Sequence, residues 1–135
     1  MKIFSKSKLA VLKSISFIFV SLILLSFIGE PDEINKALKN GDYKIITENM
    51  NETVELVILE KENIYSRTHA EQILKQFFKT HQPTGFEILH NGGSEKSQYY
   101  IGTLKTKRKN YRVYYLLKTK ESESLIYQLR IESDE

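Results

Sequence analysis

The feature that most restricts the fold is one amphipathic helix followed by an uninterrupted series of strand-like segments. Ala70, Ile73, Leu74, Phe77 and Phe78 recur at the spacing of a helix face. Four segments with strand-like composition follow, at residues 86–90, 98–106, 111–119 and 125–132. The turns between them are short and polar, which is typical of antiparallel neighbours. The pattern predicts an α+β domain in which a strongly curved antiparallel sheet packs on helices.

Three further elements are predicted before the main helix. Residues 31–41 and 43–50 have helical spacing, and residues 53–60 are rich in the β-branched residues of a buried strand. Either Ser66 or Thr68 is suited to be the N-cap of the main helix. The predicted order is therefore helix, helix, strand, helix and four strands.

The first 29 residues have a different composition from the rest of the chain. They contain four lysines and no acidic residue, and residues 15–28 form an uncharged run of 14 largely apolar residues. A membrane-spanning helix needs about 20 apolar residues, whereas the apolar part of a signal peptide needs about 7–15. We therefore predict a signal peptide over residues 1–29 and a single exported domain over 30–135, periplasmic or extracellular. The alternative is an uncleaved inner-membrane anchor through residues 15–28, the one route by which the sequence predicts contact with a membrane.

Charge and cysteine content exclude several classes of function. Residues 30–135 contain 16 basic and 17 acidic residues, so the predicted domain has no net basic charge for nucleic acid. The absence of cysteine excludes disulfides and thiolate metal sites. His69, His81 and His90 form no metal-binding motif. We predict no metal and no cofactor.

Aromatic residues on the last strands indicate a binding surface. Six of the eight tyrosines lie there: Tyr99, Tyr100, Tyr111, Tyr114, Tyr115 and Tyr127. Counting alternate positions along the strands predicts a pocket lined by Phe86, Ile88, His90, Tyr99, Ile101, Val113 and Tyr115. Such a lining suits an apolar small molecule or the side chains of a protein partner. The alternative is that these rings fill the core, and one β-bulge would reverse the alternation beyond it.

The predicted hairpin turn between residues 106 and 110 is basic. Lys107, Arg108 and Lys109 are consecutive, and we interpret them as a solvated tip, since three charges alone give only marginal membrane binding. The alternative is contact with anionic headgroups.

Several segments resemble a known family. NKALKNGDYK, NETVELVILEKENIYSRTHAEQILKQFF, YIGTLKTKRKNYRVYYLLK and LIYQLRIE are similar to a Bacteroidetes family of unknown function in the nuclear-transport-factor-two-like superfamily. The resemblance covers about residues 31–133 and implies a cone-shaped α+β fold, with no established activity.

The superfamily includes isomerases that use an aspartate base in an apolar cup. Here Asp32, Asp42 and Asp134 lie at helix starts or in the tail, and Glu55 and Glu87 are predicted on solvent-facing strand positions. We therefore favour an exported non-catalytic binding or interaction module over an enzyme. The alternative is a small-molecule isomerase, cyclase or dehydratase with a Glu- or His-based site, and a homodimer is compatible with both.

Overall fold

The computed structural model describes residues 30–135. The predicted signal peptide or anchor lies outside these residues. The helices are α1 (Glu30–Asn40), α2 (Tyr43–Glu48) and α3 (Arg67–Thr80), and the strands are β1 (Met50–Ile58), β2 (Lys61–Ser66), β3 (Pro83–Ser94), β4 (Ser97–Thr106), β5 (Asn110–Lys120) and β6 (Glu123–Ser133). None of the helices described is both long enough and apolar enough to cross a membrane.

The six strands form one curved sheet in the order β2-β1-β6-β5-β4-β3. The predicted α+β class is confirmed, but the sheet is not purely antiparallel, because β1 and β6 pair in parallel. The short turns that predicted antiparallel pairing constrain only strands that follow one another in the chain. β1 and β6 are separated by four other strands, so no turn fixes their relative direction.

Strand β2 is absent from the predicted order. Its sequence, KENIYS, is polar, and five of its six residues are exposed. A strand at the edge of a sheet gains its order from backbone pairing rather than from burial. Residues 61–66 pair in register with residues 53–58 of β1, and this pairing is invisible in the local pattern.

The helix ends are fixed by the residues expected to cap them. Gly41, with a φ of 67°, follows α1, and the backbone N–H of Asp42 donates to the carbonyl of Ala37 at 2.8 Å. This is the hydrogen bond of a Schellman motif, in which the residue that follows the helix has a positive φ and is usually glycine. Of the two N-cap candidates for α3, Ser66 is the one used, since its Oγ accepts from the backbone N–H of His69 at 3.2 Å.

The core lies between the helices and one face of the sheet. Helices α1 and α3 contribute Ile34, Ala37, Leu38, Ala70, Leu74, Phe77 and Phe78, and the sheet contributes, among others, Val54, Leu56, Leu104, Val113, Tyr115, Leu129 and Ile131. Register shifts interrupt the sheet between Ile88 and His90 and between Leu116 and Leu117. Such bulges bend a strand and reverse which face its later side chains occupy.

Candidate functional site

The seven residues predicted to line one pocket lie on two faces of the sheet. Phe86 and Ile88 pack against the core, to which the fully buried Val113 and Tyr115 belong. His90, Tyr99 and Ile101 lie on the opposite face, where His90 Nε2 and the Tyr99 hydroxyl are 3.1 Å apart. The structure therefore does not bring the seven to a single surface.

Two features of the register are the physical reason. In β3, Ile88 pairs with Gly102 and His90 pairs with Ile101, so a bulge changes the phase of the alternation between Ile88 and His90. In the β4–β5 hairpin, which has no bulge, Tyr99 pairs with Leu116 whereas Tyr115 pairs with Tyr100. Tyr99 and Tyr115 were expected to share a face and do not.

Tyr115 has the position of a core residue. Its ring stacks on that of Tyr100 with 4.8 Å between centroids, and its hydroxyl donates to Asn35 Oδ1 at 2.7 Å. The hydroxyl thereby links β5 to α1. Burial raises the pKa of the Tyr115 phenol above its ordinary value, with further contributions from Tyr100 and Asp32.

Among the described residues, an open groove with a volume of about 1400 Å³ follows α3. One wall is α3, and the other is formed by the end of β1, its turn into β2, and the end of β6. Its lining is Leu56, Ile58, Leu59, Glu60, Lys61, Tyr65, His69, Gln72, Ile73, Gln76, Phe77, Thr80, His81, Lys109, Glu132 and Ser133. None of the seven residues of the predicted pocket is among them.

The helical repeat explains how α3 serves both the core and the groove. Positions 70, 74, 77 and 78 are buried in the core. Positions 69, 72, 73, 76 and 80 lie on the adjacent stripe and line the groove. Ile73 is the apolar member of this second stripe and is only half-buried. Because Ile73 lies outside the core stripe, α3 presents apolar surface beyond what its packing in the core requires.

The floor of the groove is apolar, and its rim includes a leucine in an unfavourable backbone conformation. Leu56, Ile58 and Phe77 are buried, whereas the Leu59 side chain is 38% exposed. Leu59 has a φ of 58°, in the left-handed region that glycine or asparagine usually occupies in two-residue hairpin turns. Its backbone N–H donates to the carbonyl of Ile131 at 2.7 Å, which helps to hold this conformation. A leucine here places apolar surface at the rim of the groove at a local conformational cost.

His81 closes one end of the groove within a group of aromatic rings. Its imidazole stacks on Phe77 at 4.5 Å between centroids and meets the edge of Tyr111 at 5.4 Å. Nδ1 lies 3.0 Å from the carbonyl oxygen of Phe77 and 2.8 Å from the Thr80 hydroxyl. Because a carbonyl can only accept, we assign the proton of the ring to Nδ1. Nε2 is then the ring nitrogen left for a ligand.

Two other polar groups mark the ends of the groove. At the His81 end, Lys109 Nζ donates to Ser133 Oγ at 3.2 Å and lies 5.5 Å from the centroid of the Tyr111 ring. At the opposite end, the rings of Tyr65 and His69 meet edge to face at 4.8 Å. Residues 30–135 hold no cluster of three or more His, Asp or Glu side chains that could bind a metal ion.

The strand glutamates considered for an enzyme lie away from this groove. Glu55 Oε1 accepts from Gln128 Nε2 at 2.9 Å, and Glu87 forms an exposed ion pair with Lys105 at 3.7 Å. Both side chains therefore have partners on the sheet. The aspartates at 32, 42 and 134 are likewise absent from the groove lining.

Sequence reasoning missed the groove because its walls come from distant segments. A partial signal was present in α3, where Ile73 extends the apolar pattern past the core stripe. Leu59 gave no signal, because the sequence placed it inside the predicted strand over residues 53–60 and β2 was not predicted. The pattern of α3 does not indicate which segment lies across the groove, because β6 reaches it only through the parallel pairing with β1.

The arrangement of helices and strands defines a class of fold. A curved sheet with helices on one face is the nuclear-transport-factor-two-like architecture, and a designed protein named "Rd1NTF2_04 with long sheet" shares it. That protein has 16% identity and a TM-score of 0.63, with 76% of this chain and 95% of that chain covered. At this identity the likeness concerns the fold alone.

The chain belongs to the family described as Domain of unknown function (DUF4783), whose match spans residues 31–132. A family member from Bacteroides fragilis has 31% identity and a TM-score of 0.70, covering 75% of this chain and 95% of that one. Another, from Bacteroides uniformis, has 27% identity and a TM-score of 0.74, covering 78% and 97%. The predicted resemblance to a Bacteroidetes family is confirmed. A comparison with curated proteins finds no match.

Proposed function

We propose that this protein is an exported, non-catalytic binding module that takes the apolar part of a ligand into the groove along α3. The observation that carries the proposal is the set of apolar side chains that line an open groove, among them Ile58, Leu59, Ile73 and Phe77. Ligand sites in proteins are concave and mainly apolar, with a few polar groups at defined positions. His69 and His81 supply such groups at the two ends.

Leu59 supports the proposal because its conformation is unfavourable for folding alone. Glycine would occupy a φ of 58° without strain, whereas a leucine there contributes exposed apolar surface at the groove. The variant Leu59→Gly should therefore retain the stability of the wild type or exceed it, and should bind an apolar ligand less well. If Leu59 served only to stabilise the fold, Leu59→Gly would instead lower the stability and leave the binding of an apolar ligand unchanged.

Binding is tested with Nile red, an uncharged probe whose fluorescence rises in apolar surroundings. We expect saturable binding to the wild type, reduced about tenfold by Ile73→Ser, since removing one aliphatic contact of this kind is worth roughly 1.5 kcal/mol or more. Leu89→Ser is the matched control, because Leu89 is 65% exposed on β3 and does not line the groove. Absence of saturable binding, or equal loss in the control, would reject the proposal.

The exported location is the second part of the proposal and rests on residues 1–29. A basic segment followed by a 14-residue uncharged run is typical of a signal peptide. N-terminal sequencing of the protein from its own cell should begin between Phe27 and Pro31. An intact Met1 in the membrane fraction would instead support the anchor.

A further inference from the structure

A second recess adjoins the groove at His81 and is markedly basic. It has a volume of about 340 Å³ and is lined by Lys79, Thr80, His81, Gln82, Thr106, Lys107 and Arg108. Thr80 and His81 line both the groove and this recess. The apolar groove and the polar recess thus adjoin each other at Thr80 and His81.

Four cations from two elements surround this junction. Lys79 lies in the last turn of α3, and Lys107, Arg108 and Lys109 form the turn between β4 and β5. Lys79 alone would be explained by the negative end of the helix dipole. The three cations of the hairpin turn are not part of that helix and need a separate explanation.

The hairpin turn is held in place by its own hydrogen bonds. The Thr106 hydroxyl donates to the Lys109 carbonyl at 2.7 Å, and the Thr106 backbone N–H reaches the same oxygen at 3.2 Å. Lys109 Nζ is further held by Ser133 Oγ. The cations are therefore presented from an ordered turn.

Neighbouring carboxylates do not neutralise these cations. Residues 30–135 form three ion pairs within 4.0 Å, and none includes Lys79, Lys107, Arg108 or Lys109. Glu132, one of the two acids that line the groove, is bound to Arg130 at 3.0 Å. The recess itself has no acidic residue in its lining. The junction is thus suited to an anion.

We propose that the ligand is an anionic amphiphile, with its alkyl chain in the groove and its carboxylate, sulfate or phosphate head at the Lys79, His81 and Lys107–Lys109 junction. This inference rests on the proposed function and adds the chemical class of the ligand. The groove follows α3 from His69 to His81, a length of about 18 Å at 1.5 Å per residue, which accommodates an extended chain. At this junction the Lys109 ammonium keeps N–H donors beyond the one given to Ser133, and the Lys107 and Arg108 side chains add further donors.

The test compares sodium dodecanoate with dodecanol, its uncharged analogue, as competitors of Nile red. Dodecanoate is kept below its critical micelle concentration. We expect dodecanoate to displace the probe at about tenfold lower concentration than dodecanol, and added salt to reduce this preference. The triple variant K79Q/K107Q/R108Q changes cations that line the recess and not the groove, and should abolish the preference and leave Nile red binding unchanged. The matched control K96Q/K118Q/K120Q removes three cations at the opposite end of the sheet and should keep the preference.

The outcomes separate this inference from the proposed function. Probe binding with equal displacement by both competitors overturns the anionic head and leaves the apolar groove standing. No probe binding rejects both. A preference that survives the triple variant also overturns the inference, because the head would then bind elsewhere.

Vesicles distinguish a free amphiphile from a lipid in a bilayer. Cosedimentation with phosphatidylglycerol vesicles that is lost in both the triple variant and Ile73→Ser assigns the ligand to a bilayer lipid. Dodecanoate binding without such cosedimentation assigns it to a free amphiphile. Cosedimentation that needs the cations but not Ile73, with no dodecanoate preference, is surface adsorption and overturns the inference.

Discussion

Replacing Phe77 with alanine tests how the groove and the core share one side chain. Phe77 is 4% exposed and belongs to the core, yet its ring also forms part of the groove floor. Its neighbour Phe78 is 5% exposed and does not line the groove. The two phenylalanines therefore form a matched pair: both are buried in the core, but only Phe77 also borders the groove.

The magnitude follows from the contacts. Phe→Ala substitutions in cores cost roughly 3–5 kcal/mol, which includes the cavity that is left. The Phe77 ring meets His81, Tyr111 and Phe78 at 4.5, 5.7 and 5.3 Å between centroids, and all three contacts would be lost. Because the space left by Phe77 opens onto the groove, water fills it and the cavity contribution is small. We expect Phe77→Ala to cost about 3 kcal/mol and Phe78→Ala about 4 kcal/mol.

Urea titration followed by circular dichroism measures both losses. With a urea dependence of about 2 kcal/mol per molar, 3 kcal/mol lowers the midpoint by about 1.5 M. Nile red binding, measured in the absence of urea, should weaken in Phe77→Ala and persist in Phe78→Ala. A loss below about 1 kcal/mol for Phe77→Ala would show that the core face of α3 is assigned wrongly. If Phe77→Ala lost more stability than Phe78→Ala, this would contradict the inference that the space left by Phe77 is open to water.

Four further substitutions test the structure away from the groove. Tyr115→Phe should cost about 1 kcal/mol at neutral pH by removing the hydrogen bond to Asn35. Burial raises the pKa of the Tyr115 phenol, so this phenol ionises in the unfolded chain, near pH 10, before it ionises in the folded protein. Ionisation of the unfolded chain lowers the stability of the wild type. The difference in stability between the wild type and Tyr115→Phe should therefore narrow above that pH, as urea midpoints would show. Ser66→Ala should cost about 1 kcal/mol and Thr68→Ala almost nothing, because Ser66 is the N-cap; equal thermal midpoints for the two variants would contradict this. Gly102→Ala should cost roughly 1–3 kcal/mol in urea titration, since a Cβ there would lie 2.6 Å from a β3 carbonyl oxygen; a neutral result would mean that β3 and β4 separate easily.

The local pattern determined the fold class and most element positions. The apolar spacing of α3, the Schellman glycine Gly41 and the capping residue Asp42 act over a few residues and are therefore visible in the sequence. The hairpins of β4, β5 and β6 are local in the same sense, because short turns bring consecutive strands together. The same local reasoning indicated a basic turn at residues 107–109.

Longer-range pairing decided the rest of the fold. β2 is polar and exists because β1 offers it a backbone partner. The parallel direction of β6 beside β1 depends on the path of the whole chain. Neither feature has a signature in the residues concerned.

The groove was settled by tertiary structure alone. Alternation predicted a pocket from seven strand residues, and the bulge between Ile88 and His90, together with the register of β4 against β5, placed them on two faces. A bulge adds a single residue to a ladder and leaves almost no trace in composition, yet it reverses every later side chain. The actual groove joins α3 to a turn at Leu59 and to the end of β6, which become neighbours only when the sheet has closed over the helix. The sequence by itself determined which residues are apolar, basic or helix-forming; the tertiary structure decided which of them meet, because that depends on register and strand order rather than on local preference.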